Sequence, residues 1–163
     1  MAIRTRVGQG FDIHRFVDGP SDRVLVLGGV KFPNEKPLAG HSDADVIAHA
    51  AADALLGAAS LGDIGMHFPD TDPQWAGANS LTLLAHVAKI VRDAGYEIGN
   101  VDCSIVCEKP KIAPHREEMQ KLLSDATGAT ITIKGRRAEG LGALGREEGI
   151  ACWAVAVIER TQA

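Results

Sequence analysis

The sequence has little of several features that mark large classes of protein. Aromatic side chains make up only 4% of its 163 residues, so a buried core must be built mostly from Ala, Val, Ile and Leu. It has 17 basic against 21 acidic side chains, which disfavours nonspecific nucleic-acid binding because that depends on Lys and Arg. No apolar run reaches the roughly 18–20 residues of a membrane span, and residues 1–6 lack a signal-like apolar stretch. We therefore expect a cytoplasmic protein without a membrane or nucleic-acid partner.

The chain has only three cysteines, Cys103, Cys107 and Cys152, an odd number that suits a disulfide framework poorly. Each lies in an apolar, strand-like run, which is typical of reduced, buried thiols. A metal role for the Cys103-x-x-x-Cys107 spacing is the alternative. A chain of this length buries about 68–70% of the surface that it exposes when unfolded, enough for a core without disulfides. We expect a single domain over residues 1–163.

Apolar periodicity and turn residues predict five strands and three helices. The predicted strands cover residues 4–14, 24–30, 101–107, 130–133 and 150–158. The predicted helices run from Ser42 or Asp43 to Ser60, from Asn79 or Ser80 to about Asp93, and from Pro114 to Gly128. Residues 62–77 contain Pro and Gly, which break both kinds of element, so we expect a long loop there. These elements predict an α/β (α+β) fold in which a mixed β-sheet packs on a layer of about three helices.

The last predicted strand, residues 150–158, is apolar on both faces. Its even-numbered residues point one way and its odd-numbered residues the other, because side chains alternate along a strand. One face can lie on the helical layer, but three helices leave nothing in the chain to cover the second face. We therefore expect another subunit to cover it, and hence a homo-oligomer.

Two short patterns bring carboxylate and imidazole groups together. Asp12-Ile-His14 places both groups on the same side of an extended segment. Asp45, His49 and Asp53 recur at every fourth position of the first helix, within roughly 80° of arc. Such oxygen and nitrogen donors suit Zn²⁺, so we predict Asp12, His14 and His49 as ligands with a fourth position open for substrate. Asp45 or Asp53 would accept the remaining N–H of a ligand. The alternative is that each histidine is a solvated or hydrogen-bonded core residue.

Other polar groups cluster in predicted loops. Residues 41–43, His-Ser-Asp at a helix start, offer an imidazole, a hydroxyl and backbone N–H groups that suit an anion, or they simply cap the helix. Residues 63–65 and 68–72 offer carboxylates for sugar hydroxyls or hydrated Mg²⁺, or they are acidic turns. Basic groups in residues 134–137 and at Arg146 lie at strand ends, where they would neutralise a diphosphate or simply face solvent.

The combination of motifs is more specific than any one of them. The motifs are G-x-G-F-D-x-H at 8–14, H-S-D-x-D-V-x-x-H at 41–49, D-A-L-L-G-A-A-x-L-G-D-I-G at 53–65, F-P-D-T-D-P at 68–73, G-N-V-D at 99–102, P-K-I-x-P-H at 110–115 and E-G-I-A at 148–151. Together they resemble the 2-C-methyl-D-erythritol 2,4-cyclodiphosphate synthase family from about residue 6 to residue 160.

The resemblance implies a lyase of non-mevalonate isoprenoid biosynthesis. It implies conversion of 4-diphosphocytidyl-2-C-methyl-D-erythritol 2-phosphate into the cyclic diphosphate and CMP. It also implies a homotrimer in which a β-sheet packs against helices in each subunit and three active sites lie at subunit interfaces. The implied cofactors are one Zn²⁺ per subunit and Mg²⁺ or Mn²⁺ with the substrate.

The resemblance also implies roles for individual positions. Asp12, His14 and His49 match the Zn²⁺ ligands, Glu139 matches a ligand of the second cation, and His41 matches a residue that stabilises the transition state. Residues 63–65 match contacts to the sugar, 68–72 the flexible segment over it, and 107–113 the cytidine pocket. With the basic strand ends, the full set of predicted substrate contacts is Asp12, His14, His41, Ser42, Asp63, Ile64, Gly65, Phe68, Pro69, Asp70, Thr71, Asp72, Cys107, Lys111, Ile112, Ala113, Arg136, Arg137, Glu139 and Arg146.

The chain departs from the family pattern at three positions. Arg137 stands where the family has a threonine that helps the transition state, which replaces a short hydroxyl by a cation with five donors. Arg137 would serve catalysis by neutralising the diphosphate, or it would turn away and leave a trimeric protein that only binds a nucleotide or isoprenoid phosphate. Ala143 replaces a common aromatic, and Trp153 a polar or small residue. In the family an apolar channel on the trimer axis, topped by an arginine that Arg146 matches, is a candidate site for an isoprenoid diphosphate.

Overall fold

A four-stranded sheet is the framework of the computed structural model, which describes residues 2–162. Its strands are β1 (Ala2–Arg15), β4 (Glu97–Val106), β5 (Thr130–Arg136) and β6 (Gly149–Gln162), and a separate hairpin is formed by β2 (Leu25–Leu27) and β3 (Val30–Phe32). The order in the sheet is β1-β6-β4-β5. β6 is antiparallel to both of its neighbours, whereas β4 and β5 are parallel. The predicted mixed sheet is therefore confirmed.

Three helices cover one face of this sheet. They are α1 (Val46–Ala59), α3 (Ser80–Asp93) and α4 (Arg116–Thr127), and the shorter helices α2 (Ile64–His67) and α5 (Gly142–Gly145) lie in connections. Their apolar residues and the inner-face residues of the four strands form one buried cluster. Among the helices of residues 2–162, none combines the length and apolar character that a membrane crossing requires.

α1 lies directly on β1 because two glycines of β1 have no side chain to hold it away. A Cβ at Gly8 or Gly10 would overlap backbone atoms of Ala54 or Ala50 in the helix. The G-x-G of the first motif is therefore required by packing, and it sets the distance between β1 and α1. α1 is in turn rich in Ala, and almost all of its residues are buried.

The start of α1 differs from the prediction, because Asp45 caps the helix instead of Ser42 or Asp43. Its fully buried carboxylate accepts the N–H groups of Ile47 and Ala48 and, in the hairpin turn, those of Gly28 at 2.9 Å and Gly29 at 2.8 Å. Burial and the charge of Asp43 raise the pKa of Asp45 to about 6, against the lowering effect of these N–H groups. Asp45 thus ties the hairpin to the helix.

Two further predictions were too coarse. Residues 24–30 were expected to form one strand, but Gly28 and Gly29 adopt positive φ values of 57° and 80° and turn the chain into the β2–β3 hairpin. Residues 62–77, expected to be a loop, contain α2 and a 3₁₀ turn at Pro73–Trp75. Asp63 and Asp72 cap these two short elements with their carboxylates, which explains acidic residues among the helix breakers.

The outer face of the sheet carries exposed apolar side chains. Val7 is 65% exposed, Phe11 43%, Trp153 39% and Val155 46%. The rings of Phe11 and Trp153 lie against each other with centroids 5.0 Å apart. The prediction that the last strand has a second apolar face without cover in its own chain is therefore confirmed for Trp153 and Val155.

All three cysteines are buried, free thiols, as predicted. Cys103 and Cys152 lie on the inner face of the sheet, and Cys107 follows β4. Burial and the charge of Glu108 raise the pKa of Cys107 to about 12, although Arg137 opposes them, so this thiol stays neutral. Within residues 2–162, the side chains that could together hold a metal ion are Asp12, His14 and His49, called the metal-type cluster below. Neither Cys103 nor Cys107 belongs to it, so the structure does not support the alternative metal role.

Candidate active site

Asp12, His14 and His49 form one cluster, as their spacing predicted. Asp12 and His14 lie on the inner face of β1, and His49 projects from α1, which the glycines of β1 allow to approach. Asp12 Oδ2 lies 3.2 Å from His14 Nε2 and 3.1 Å from His49 Nδ1. All three potential ligand atoms are within 4.8 Å of one another.

The orientation of His14 is set by a backbone carbonyl. Its Nδ1 lies 2.7 Å from the carbonyl oxygen of Ala39. A carbonyl oxygen can only accept, so Nδ1 carries the proton and the neutral ring presents its Nε2 lone pair to Asp12.

The orientation of His49 is set by a buried hydroxyl. Its Nε2 lies 2.8 Å from Ser80 Oγ, and the Ser80 hydroxyl donates its only proton to Asp43 Oδ1. Ser80 must therefore accept the Nε2–H of His49. As a result the neutral His49 ring presents its Nδ1 lone pair to Asp12.

With both rings neutral, a carboxylate and two imidazole lone pairs thus point at one another, an arrangement that either protonation of the imidazoles or a bound metal cation stabilises. In the protein without a metal ion, burial alone would raise the pKa of Asp12, but hydrogen bonds and positive charge from His14 and His49, when their rings are protonated, lower it to about 2. Burial would lower the pKa of His14, but the hydrogen bond and charge of Asp12 raise it above the ordinary value. One carboxylate oxygen and two imidazole nitrogens fit a divalent metal ion with a position left open.

The metal-type cluster opens into a cavity of about 450 Å³. Besides the three candidate ligands, its walls include the predicted residues His41, Ser42, Ile64, Gly65, Phe68, Pro69 and Asp70. Trp75 and Leu83 complete the apolar side, and the Phe68 and Trp75 rings pack edge to face at 4.9 Å. The structure therefore places the possible metal site, the loop with His41 and Ser42, and part of the 63–72 segment around one space.

Three predicted substrate contacts of the 63–72 segment, Asp63, Thr71 and Asp72, do not line this cavity. Asp63 accepts the Met66 N–H at 3.0 Å, and Asp72 accepts both the backbone and side-chain N–H groups of Gln74 at 3.0 Å and 2.7 Å. Thr71 is exposed between them. The two carboxylates are committed to local capping in this conformation.

The loop that carries His41 and Ser42 is held at several points. His41 Nε2 donates to the carbonyl oxygen of Asp72 at 3.1 Å, which links this loop to the 63–72 segment. Ser42 is 8% exposed, and its Oγ accepts the Ala44 N–H at 3.2 Å. Arg23 donates to the carbonyl oxygens of Leu38 at 3.0 Å and Ser42 at 2.8 Å.

The remaining predicted residues belong to a different part of the chain. A second cavity of about 190 Å³ is lined by Cys107, Lys111, Ile112, Ala113, Arg136 and Arg137 among others. It shares no lining residue with the cavity at Asp12, His14 and His49. The strands that lead to the two cavities, β1 and β5, are three spacings apart in the sheet, or about 14 Å.

Glu139 and Arg146 belong to neither cavity. Glu139 is exposed after β5, with a positive φ of 55°, and is not part of the metal-type cluster of the described residues. Arg146 pairs with Glu148 at 2.8 Å and lines a third cavity of about 440 Å³.

Comparison with known proteins decides the family. The model of the YgbB family matches residues 5–159. The chain belongs to the YgbB family. A curated relative from Geobacillus thermodenitrificans, named 2-C-methyl-D-erythritol 2,4-cyclodiphosphate synthase, is 51% identical over 97% of this chain and 99% of its own length. A relative of the same name from Bacillus cereus is 52% identical over 95% of this chain and 98% of its own.

Solved structures show the same YgbB-family fold. The chain matches IspF of Plasmodium falciparum, determined as a CDP complex, with a TM-score of 0.83 and 34% identity over 97% of each chain. It matches the bifunctional IspDF of Campylobacter jejuni with a TM-score of 0.91 and 36% identity over 99% of this chain. This chain spans 44% of that longer protein.

In this YgbB-family chain, one detail of the predicted metal site is wrong. Neither Asp45 nor Asp53 accepts the second N–H of a histidine ligand. Asp45 serves the hairpin and the helix start, and Asp53 accepts the Ile64 N–H at 2.7 Å. The actual acceptors are the Ala39 carbonyl and the Ser80 hydroxyl. The i, i+4 spacing indicated a shared helix face but not which groups meet across it.

Sequence reasoning missed three residues that support the site. Ser80 was considered only as a helix cap and Asp43 mainly as part of an anion-binding loop, although both lie behind His49. Arg23 was not singled out, because nothing in a polar stretch before an apolar run indicates contact with a loop about twenty residues away. No local pattern in this YgbB-family sequence would have identified these long-range contacts.

Proposed function

We propose that this chain is a cyclising phosphorus-oxygen lyase. It converts 4-diphosphocytidyl-2-C-methyl-D-erythritol 2-phosphate into 2-C-methyl-D-erythritol 2,4-cyclodiphosphate and CMP. The observation that carries this proposal is the meeting of Asp12, His14 and His49 with His41 and Ser42 around one cavity. Relatives that are 51% and 52% identical over nearly the whole chain bear this synthase name. They disfavour the alternative of a trimeric protein that binds a nucleotide or isoprenoid phosphate without turnover.

The triad would hold Zn²⁺, and Glu139 would hold Mg²⁺ or Mn²⁺ when substrate is bound. The choice of Zn²⁺ rests on a donor set of one carboxylate oxygen and two imidazole nitrogens, which suits this ion. When bound, these cations would supply Lewis-acid polarisation of the phosphates and would neutralise charge on the departing CMP.

The chain's own contribution is to position the substrate. The 2-phosphate of the substrate attacks its own β-phosphorus and CMP leaves, so no protein nucleophile is needed. Holding these groups in line contributes as much as about 7–11 kcal/mol through proximity and orientation. The segment with Phe68 and Trp75, whose rings pack together in the cavity wall, would exclude water from the reacting phosphates.

Two side chains of the cavity would hold the phosphate oxygens. Ser42 Oγ already accepts the Ala44 N–H, which leaves its own proton for a phosphate oxygen. His41 Nε2 contacts the carbonyl oxygen of Asp72, which leaves Nδ1 as the ring atom that would face the phosphates and help to stabilise the transition state.

The second cavity would bind the cytidine diphosphate portion. Cys107, Lys111, Ile112 and Ala113 surround it, and Arg136 and Arg137 add positive charge for the diphosphate. The CDP complex of the Plasmodium falciparum relative supports a cytidine nucleotide as ligand of this fold. In this proposal Arg137 replaces a neutral hydroxyl by a direct charge contact and acts as a catalytic residue together with His41.

We propose further that the active site is assembled from two copies within a homotrimer. The separation of the two cavities on one chain supports this. A neighbouring copy could bring its second cavity, the proposed site for the cytidine diphosphate portion, to the metal-type cluster. The exposed apolar face around Phe11, Trp153 and Val155 supports it independently, because it needs cover. A central channel in such a trimer, near Arg146, is the proposed place for an isoprenoid diphosphate.

The decisive experiment is an assay of the purified full chain with the cytidyl substrate, Zn²⁺ and Mg²⁺. Phosphorus NMR should show the cyclic diphosphate and CMP appearing in equal amounts. An Asp12→Asn variant should lose the reaction, and a Lys89→Ala variant, which removes only an exposed ion pair with Asp93, should retain it. Release of CMP with a linear product would identify a hydrolase and overturn the proposal.

A further inference from the structure

Behind His49, on the side away from Asp12, lies a short chain of buried and partly buried hydrogen bonds. His49 is 9% exposed and Ser80, the first residue of α3, is 1% exposed. His49 Nε2 and Ser80 Oγ are 2.8 Å apart, and Ser80 Oγ contacts Asp43 Oδ1. The Ser80 backbone N–H also donates to Asp43 Oδ2 at 3.0 Å. One carboxylate thus binds both donors of Ser80.

The direction of the protons in this chain follows from the carboxylate. The Asp43 carboxylate can only accept, so the Ser80 hydroxyl donates its hydrogen bond to Asp43. The lone pairs of Ser80 Oγ then face His49. His49 must then carry its proton on Nε2. Ser42 Oγ, 3.2 Å from the same nitrogen, is a longer second acceptor. This proton arrangement is the one that leaves Nδ1 free on the side of Asp12 and His14.

We propose that Ser80 and Asp43 are positioning residues that act through His49. They hold its ring in the Nε2–H tautomer, and so keep Nδ1 available as a ligand for a divalent cation. The proposal rests on metal binding at the triad, which is part of the proposed function above. Groups that orient a metal-bound imidazole in this way typically change metal affinity by about 10- to 100-fold when they are removed.

The same contacts join the metal-type cluster to the rest of the site. Asp43 follows His41 and Ser42 directly in the chain, and its backbone N–H donates to the Ala78 carbonyl at 3.1 Å. Gly77 N–H donates to the carbonyl oxygen of His41 at 2.8 Å. The segment that leads into α3 therefore holds the loop with His41 and Ser42 and, through Ser80, the orientation of His49.

An Asp43→Asn variant tests the direction of the protons with almost no change of shape. The amide oxygen is favoured at the Oδ2 position, where it keeps the Ser80 N–H at 3.0 Å and gives up the longer 3.2 Å contact between Asp45 N–H and Oδ1. The amide NH₂ then donates to Ser80 Oγ, and the Ser80 hydroxyl proton turns to His49 Nε2. His49 should switch to the Nδ1–H tautomer, which blocks the ligand nitrogen.

A Ser80→Ala variant removes the main acceptor of the His49 Nε2–H but puts no donor in its place. Ser42 can still accept a weaker bond from this Nε2–H. We expect a smaller loss of Zn²⁺ affinity than in Asp43→Asn. An Asp93→Asn variant is the matched control, because it loses one negative charge from an exposed ion pair with Lys89 on the same helix as Ser80. Its affinity should equal that of the unaltered chain.

Two measurements on the full chain decide the proposal. Zn²⁺ affinity, from competition with a chromophoric chelator, should fall at least about tenfold in Asp43→Asn and by less in Ser80→Ala. Nitrogen-15 NMR of the metal-free, unaltered protein at mildly alkaline pH should show Nε2–H as the main His49 tautomer, and Asp43→Asn should show Nδ1–H. If Asp43→Asn does not fold, the affinity and tautomer of Ser80→Ala decide.

The proposal is overturned if His49 is mainly Nδ1–H in the unaltered protein, or if both variants bind Zn²⁺ as the unaltered chain does. It is also overturned if Asp93→Asn loses as much affinity as Asp43→Asn, since net charge would then be the cause. Failure of the unaltered chain to bind Zn²⁺ would instead contradict the metal assignment. The tautomer in the metal-free protein would still test the hydrogen-bond chain by itself.

Discussion

The backbone of Gly10 in β1 lies directly against the backbone of Ala50 in α1, so closely that a Cβ at position 10 would overlap the Ala50 carbonyl oxygen. Ala50 is the residue after His49, and Asp12 lies two residues after Gly10. The approach of two backbones therefore sets the distance between the two candidate ligands. The spacing of the candidate ligands and the packing of the core are therefore coupled at this point.

A Gly10→Ala substitution should force β1 and α1 apart. We expect a loss of about 1–3 kcal/mol in the free energy of unfolding, the usual cost of overpacking, together with weaker Zn²⁺ binding. Gly57→Ala is the control, because a Cβ there meets only Gln9 O at 3.7 Å, in ordinary contact. In α1 that change should stabilise the protein by about 0.5–1 kcal/mol. Denaturant unfolding with a chelator titration measures both effects, and equal destabilisation by the two variants would contradict the packing argument.

The metal-free protein should gain stability from Asp12 and His14 within a defined pH window. The pKa of Asp12 is lowered from 3.8 to about 2, so its contribution is complete above pH 3.8 and is lost as the pH falls toward 2. The pKa of His14 is raised from 6.5, so its contribution is complete below pH 6.5 and is lost as the pH rises through the folded value.

A His14→Gln variant tests this window in the presence of a chelator. The difference in melting temperature between the unaltered protein and the variant should be largest between pH 3.8 and 6.5 and should shrink at alkaline pH. A His86→Gln variant serves as the control, since His86 lies outside the cluster, against Phe68. A difference for His14→Gln that grows with rising pH would refute the assignment.

Asp45 should matter to stability more than an exposed cap of the same type. An Asp45→Ala change leaves the N–H groups of Gly28, Gly29, Ile47 and Ala48 without their buried acceptor. We expect a loss of at least about 2.5 kcal/mol, because capping contributes about 0.5–2 kcal/mol and each of the two further N–H groups left unpaired, those of Gly28 and Gly29, costs about 1–3 kcal/mol. Asn79→Ala, at the exposed cap of α3, should cost about 1 kcal/mol. Chemical denaturation compares the two, and similar losses would contradict the prediction.

A charge on the outer face of the sheet should dissociate the proposed trimer. Val155→Glu would place a carboxylate within the exposed apolar patch, next to Trp153 on β6. We expect a folded monomer by light scattering and circular dichroism, with no synthase activity because the two cavities are no longer brought together. Lys31→Glu, on the exposed side of the separate β2–β3 hairpin, should leave the assembly intact. A monomeric unaltered protein with full activity would refute the shared site.

Arg137→Thr restores the residue type that the family resemblance implies at this position. If Arg137 contacts the diphosphate, the variant should lose about 1.5–3 kcal/mol of stabilisation, or roughly 10- to 150-fold in kcat/KM. Lys121→Thr, which removes an exposed cation paired with Asp125, should leave kcat/KM unchanged. A rise in kcat/KM on restoring threonine would show that the arginine weakens the site.

Local regularities predicted much of the framework and of the metal-type cluster. Asp12 and His14 were predicted to lie on one side of a strand because side chains alternate. In the structure, Asp12 Oδ2 is 3.2 Å from His14 Nε2. α3 was predicted from a cap at Asn79 or Ser80 and from its apolar stripe, because both depend only on nearby residues, and the structure has Asn79 as the cap. The uncovered face of β6 was predicted from the same alternation, because both faces of this strand are apolar and the three predicted helices can cover only one of them.

Only the tertiary structure decided which groups meet across elements. The Ser80 hydroxyl behind His49 comes from 31 residues further along the chain, and the Ala39 carbonyl behind His14 from 25 residues away. Neither contact has a periodic signal, because each depends on how α3 and the 39–43 loop pack against α1 and β1. The same packing placed Arg137 in a cavity separate from His49. The sequence by itself determined which donor types were available and on which faces, whereas packing determined their proton directions and their division between two cavities.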